Sequence, residues 1–372
     1  MKKHHGTLVA ILATAIAAVG VAACGGDDET ATTGGGGGGD GGGGKKIALL
    51  LPESQTTRYE AQDRPLFTAK LKQICPDCEL LYSNADQDAD KQQQQAEAAI
   101  TNGAEVLVLD PVDGASAAAM VARAKQSDIP VISYDRLILN SDVDYYISFD
   151  NEKVGQLQAQ SLVDKLEQDG KQGGIVMING APTDNNAKLF KQGAHSVIDS
   201  SPFDVLKEYD TPEWLPSNAQ RQMEQAITEL GNDGFVGVYA ANDGTAGGAI
   251  AAMKGAGIDP KTIPVTGQDA ELAAIQRILS GEQYMTVYKA IKPEAEAAAE
   301  LALALANGEQ PRAGMVTGKV DNGQKQVDSV LLDPVAVTRD NVADTVIKDQ
   351  FVPVDEVCSG AFAEACSAAG IS

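Results

Sequence analysis

The 372-residue sequence predicts an α/β protein of two Rossmann-like lobes, each built on a parallel sheet. Three observations carry that prediction. Short apolar runs alternate with helical segments along the whole body, which is the pattern of βαβ units. More than ten such runs are present, too many for one comfortable open sheet. The length also suffices for two separate cores.

Taken in order, the chain opens with "MKKHH", a cationic stretch, and an apolar run over 8–21 that is short for a membrane span. The run ends in "VAAC", which resembles the cleavage motif of bacterial lipoprotein signals. A signal peptide is therefore expected over 1–23, with Cys24 as the lipidated residue; an uncleaved anchor or a free cysteine is the alternative. Residues 24–45 are glycine-rich, with almost nothing to bury. A coil of this length has a root-mean-square span of roughly 25 Å, so the segment reads as a tether. Its "GGGGKK" lacks both the Ser/Thr after the lysine and the preceding strand that a phosphate loop requires.

The body begins at Lys46. "KIALLL" is a strand, 60–74 a helix, "ELLYS" a strand, and 89–102 a helix stopped by Gly103. "EVLVLD", a helix over 115–126 and "IPVISY" follow. Next come a helix over 152–168, "GIVMING", the helix "NNAKLFKQGAHSVI" and "FDVLKEY". A helix over 218–230, "FVGVYAAND", a helix over 245–254, "IPVTGQD", a helix over 272–279 and "QYMTVY" continue the alternation. An alanine-rich helix over 293–306 starts with proline, and "VDSVLLDPVAVT" is extended.

Composition removes several functions. With 29 Lys+Arg against 52 Asp+Glu the chain is strongly acidic, and a nucleic-acid partner would call for a basic patch. No GxGxxG follows the first strand, which counts against a dinucleotide. Past the leader His195 is the one histidine, so a histidine metal site or a Ser-His-Asp triad has almost no material, and neither metal nor cofactor is expected. Cys75, Cys78, Cys358 and Cys366 read as two local disulfides of an exported protein. "CPDC" follows a helix and precedes a strand, whereas a redox CxxC belongs at a helix N-terminus.

Strand after strand ends in polar residues. "ISYDR" supplies Asp135 and Arg136, "MINGAPTDNNA" Asp184, Asn185 and Asn186, and "VYAAND" Asn242 and Asp243. "VTGQD" supplies Gln268 and Asp269, "MTVYK" Lys289, and "TTRYE" Arg58 and Tyr59; the single Trp, Trp214, lies in "PEWLPSNA". One such cluster would be ordinary turn and helix-cap chemistry. Six at the carboxyl ends of parallel strands fall where open α/β sheets bind ligands. Carboxylates and amides beside cations can satisfy a hydroxyl as donor and as acceptor, and an aromatic ring can cover the apolar face of a pyranose.

The strings "YDR", "YYISFDNEKVGQLQA", "DNNAKLF", "WLPSNA", "NDGTAGGAI", "GQDAEL" and "MTVYK" together resemble the D-xylose-binding proteins of bacterial ABC importers. The multiple-monosaccharide receptors are close relatives, and the resemblance spans about 46–352. It implies the type I periplasmic-binding-protein fold: two α/β lobes joined by a three-crossing hinge. The lobes would be 46–151 plus 292–326, and 152–291 plus 327–372. It also assigns sugar contacts to Arg58, Tyr59 (more often Trp in the family), Asp135, Arg136, Asp184, Asn186, Trp214, Asn242, Asp269 and Lys289. Asp150 and Asn151 are expected to cap the next helix.

The expected function is a lipid-anchored, monomeric receptor outside the cytoplasm. It captures a monosaccharide, D-xylose foremost, and delivers it to an ABC permease. A broad aldose receptor serving a chemoreceptor or sensor kinase is the alternative. A sugar-responsive DNA regulator would need an N-terminal helix-turn-helix in place of the leader. A sugar hydrolase would need a raised carboxyl, with Asp135 and Asp269 as the conceivable pair.

Overall fold

The computed structural model describes residues 44–371. The expected leader, Cys24 and all of the tether but its last two residues lie outside the described residues.

Two sheets organise the body. The first has seven strands in the order β10-β11-β5-β4-β3-β1-β2. These are β1 (Lys46–Leu51), β2 (Glu79–Asn84), β3 (Val106–Leu109), β4 (Val131–Tyr134), β5 (Tyr145–Phe149), β10 (Gly318–Asp321) and β11 (Gln326–Leu332). All pairings are parallel except the β10–β11 edge. The second sheet is β7-β6-β8, made of β6 (Gly174–Asn179), β7 (Asp204–Asp210) and β8 (Gly237–Ala240). Beside it β9 (Met285–Tyr288) pairs antiparallel with β12 (Val335–Thr338). β3, β4, β6 and β8 are buried along their whole length, as parallel strands covered on both faces must be.

Helices α1 (Arg64–Ile74), α2 (Ala89–Thr101), α3 (Ala118–Lys125) and α9 (Ile291–Ala306) cover the first sheet, and an apolar cluster fills each side of it. The second lobe carries α4 (Asn151–Gln168), α5 (Asn185–Ile198), α6 (Pro216–Leu230), α7 (Asp243–Gly255) and α8 (Leu272–Ser280), again with a cluster on either side of its sheet. A fifth cluster seats the C-terminal segment against α8, with Tyr288 and Val357 inside it. Cys75–Cys78 and Cys358–Cys366 are bonded.

Four expectations need correction. The expected helix over 60–74 begins as a widened π turn, Tyr59–Asp63, before α1 takes over with Pro65 in its first turn. That turn buries Tyr59 and Asp63 together, and the proline belongs at a helix start because its ring has no N–H to give. "IPVTGQD" forms no strand; only Val265 and Gln268 make isolated bridges. β5 and β10 were not anticipated. The boundary expected at 326/327 also falls too early: β11 pairs with β5 through Leu332, so the third passage between sheets lies at 333–334. The other two join β5 to α4 and β9 to α9.

Candidate functional site

The strand ends of both lobes face one enclosed cavity. All ten residues expected at the site line it. Thr56, Phe190 and Gln268 complete the wall. All thirteen are buried, Thr56 the most exposed at 7%, so the lobes are closed around the space.

Each of these side chains is placed by its local backbone. Asp135 ends β4 in the left-handed region at φ 52°, which a non-glycine residue enters only when its surroundings hold it. Its carbonyl accepts from the Tyr146 hydroxyl (3.0 Å), Ser148 Oγ (2.7 Å) and Asn186 Nδ2 (2.9 Å). Asp184 and Asn242 are the N-caps of α5 and α7, each accepting a backbone N–H at 2.8 Å. Cap and site roles therefore coincide in one side chain. Asp150 caps α4 as expected, but Asn151 does not: it is buried and donates to Asn186 Oδ1 (2.9 Å) and Ser148 Oγ (3.1 Å). It ties the first passage to the site.

Trp214 sits at φ 55° behind Glu213 at φ 59°. Its Nε1 donates to Asp184 Oδ2 at 3.1 Å, and its ring meets Phe190 edge-on with centroids 6.3 Å apart. A Cβ on Gly180 would fall 2.0 Å from that ring, so only glycine can stand there.

Three cations enter the cavity, each beside carboxylates. Arg58 grips Asp63 through Nε (3.0 Å) and Nη2 (2.7 Å), and also donates to Glu294 (2.8 Å) and Asp135 (3.1 Å). Arg136 lies 3.1 Å from Asp184, with Glu53 and Asp110 at 3.5 and 3.8 Å. Lys289 pairs with Asp269 at 3.0 Å. Tyr59 lies between the guanidinium groups of Arg58 and Arg136 and donates to Asp135 at 2.9 Å.

The charges reorganise proton affinities. Burial pushes the Asp135 carboxyl up, but Arg58, Lys289, Arg136 and the Tyr59 hydroxyl outweigh it and hold it at about 2. Burial raises Asp184 and, far more, Asp110 and Glu294, with the nearby arginines opposing in each case. An ionised Asp135 beside cations and carboxyls of raised proton affinity offers acceptors and donors at many angles, which suits a small molecule rich in hydroxyls.

Sequence reasoning missed part of this wall. Phe190 stands one helical turn after Asn186 and shares its face of α5, a signal available in "DNNAKLF". Gln268 was visible at its strand end but carried no site assignment. Asp110 and Glu53, just past β3 and β1, were visible at strand ends but carried no site assignment, and Asp63 and Glu294, which hold Arg58, gave no local signal.

The model of the periplasmic binding protein domain matches residues 47–310. The chain belongs to that family. A D-xylose-binding periplasmic protein of Escherichia coli is 42% identical to this family member over 309 residues, 82% of this chain and 90% of the relative. A multiple sugar-binding periplasmic receptor of Rhizobium radiobacter is 37% identical, covering 71% of this chain and 78% of the receptor. Among solved structures, an ABC transporter solute-binding protein of Clostridium phytofermentans with bound β-D-glucose superposes with a TM-score of 0.77. It is 30% identical and covers 84% of this chain and all of that one. Family membership places the body outside the cytoplasm, and no helix among the described residues is long and apolar enough to cross a membrane.

Proposed function

We propose that this periplasmic binding protein captures D-xylose in the closed cleft and hands it to an ABC permease, held at the membrane by a lipid on Cys24. One observation carries the reading: ten polar and aromatic residues from separate loops of both lobes converge on one buried cavity. Each hydroxyl there can donate to Asp135, Asp184 or Asp269 and accept from Arg58, Arg136, Lys289 or Asn242, while Trp214 and Phe190 cover an apolar face. The ligand stabilises the closed form that a permease reads. The D-xylose-binding relative at 42% identity supports the choice of sugar.

A broad aldose receptor is the second reading, favoured by the glucose-bound structure at 30% identity. Such a receptor could serve a chemoreceptor or sensor kinase. A hydrolase is disfavoured because Asp135, held at about 2, is a poor proton donor at neutral pH. Calorimetric titration of the purified body with xylose, glucose, galactose, arabinose and ribose tests both readings. Xylose is expected to bind as one molecule per chain and at least tenfold tighter than the others. Equal affinities would install the broad receptor, and no heat with any of them would end the sugar reading. For the anchor, Cys24→Ser should release the protein from cells into the medium.

A further inference from the structure

Arg58 is held from three sides, and two of its partners, Asp63 and Glu294, lie outside the cavity wall. Glu294, in the first turn of α9, is fully buried, and its Oε2 accepts from Arg58 Nη2 at 2.8 Å. Its other oxygen has no hydrogen-bond partner. α9 begins two residues after Lys289, where the chain has just passed back from the second lobe to the first. Arg58 Nη1 in turn reaches Asp135. A continuous chain of contacts thus runs from this passage through Glu294 and Arg58 to a cavity carboxylate.

Building on the sugar-capture reading, we propose that Glu294 is a positioning residue that acts through Arg58 and fixes the guanidinium at the angle the sugar meets. Without it one Nη2 hydrogen of Arg58 is buried and unmatched, and the guanidinium is left to Asp63 and Asp135 alone. Burial and the neighbouring carboxylates favour the uncharged form of this carboxyl. Seven carboxylates (Glu53, Asp63, Asp110, Asp135, Asp184, Asp269 and Glu294) face three cations in this region, and a dry interior does not hold four surplus charges. Burial raises the Glu294 carboxyl well above its usual range; Arg58 and Lys289 oppose, while Asp135 and Asp63 add to the rise. A glutamine of the same shape keeps an acceptor for Arg58.

The test is a double-mutant cycle read by xylose titration of Glu294→Ala, Arg58→Lys and the double variant, with Glu294→Gln alongside. Glu294→Ala should weaken binding about tenfold, the scale of one lost hydrogen bond to a charged group. Glu294→Gln should stay within about threefold of the parent, because a neutral acceptor remains. In the Arg58→Lys background Glu294→Ala should cost less than about twofold, because residues acting through one another are not additive. If Glu294→Ala does not fold, Glu294→Met, which retains volume, replaces it in the cycle. Equal costs in both backgrounds, unchanged affinity in the alanine or methionine variant, or a tenfold loss with glutamine would each overturn the proposal. Failure of the parent protein to bind any sugar is a separate result; it removes the capture reading on which this one rests.

Discussion

Replacing Asp135 by Asn removes one charge and almost no volume from the centre of the cavity. The carboxyl is held at about 2 against an ordinary 3.8; at about 1.4 kcal/mol per pH unit, that is on the order of 2 kcal/mol of preference for the ionised form. The preference belongs to Arg58, Lys289, Arg136 and Tyr59 acting on one side chain. Asn forfeits it and leaves Arg58 Nη1 facing a neutral amide. Because Lys289 comes from the other lobe, part of the loss falls on closure and hence on sugar affinity. Calorimetry should show xylose binding weakened at least tenfold, and by some tens of fold if the whole preference is expressed in closing. The sign with pH follows from the depressed carboxyl. Its stabilisation is fully present above about pH 4 and is lost as pH falls through about 2. The parent should therefore melt above Asp135→Asn at neutral pH, with the gap closing towards pH 2. An affinity within threefold of the parent, or a melting gap that persists at pH 2, would refute the electrostatic account.

Three further outcomes are expected. Trp214→Ala should abolish the intrinsic tryptophan signal and, if the ring stacks on the sugar as proposed, weaken xylose binding by more than about 1 kcal/mol, the bond to Asp184 being lost as well; unchanged affinity would return the ring to a packing role. Asp150→Ala should lower stability by about 1 kcal/mol through the lost α4 cap and leave xylose affinity within twofold, checked by denaturant melts and titration. His195 bridges Asp199 (3.0 Å) and Glu208 (3.1 Å). Partial burial opposes its imidazolium, but those bonds raise its proton affinity, so its stabilisation is present below about pH 6.5 and lost as pH rises through the raised value. The melting gap between the parent and His195→Gln should be wider at pH 6 than at pH 9, and a gap independent of pH would show that the imidazolium contributes nothing.

The alternation of apolar runs and helices was readable because fully buried parallel strands leave no other pattern. The cavity residues were readable because they follow those strands directly. β5 escaped because "DVDYYISFD" opens on aspartates and reads as a connection, and β10 because "GKVD" is a four-residue edge with no apolar run. Asp63 and Glu294, behind Arg58, escaped for a different reason. Glu294 in an alanine-rich helix looks like a surface residue; its burial depends on an arginine 236 positions earlier, and no local window contains both. The third passage was misplaced because "VDSVLLDPVAVT" is extended throughout, and only Asp333 and Pro334 mark where one sheet is left for the other.

That passage has a consequence for synthesis. β5 is finished by residue 149, yet its neighbour on one side, β11, starts only at residue 326. While the intervening stretch is made, a growing chain carries β5 as an open, apolar edge able to template against other chains. The second lobe's core sheet, β6 to β8, needs nothing later than Ala240. A protein wired this way is safest when it is still unfolded on leaving the ribosome and collapses only after Gln326–Leu332 has been delivered. Truncations ending before Gln326 should therefore aggregate through the first sheet.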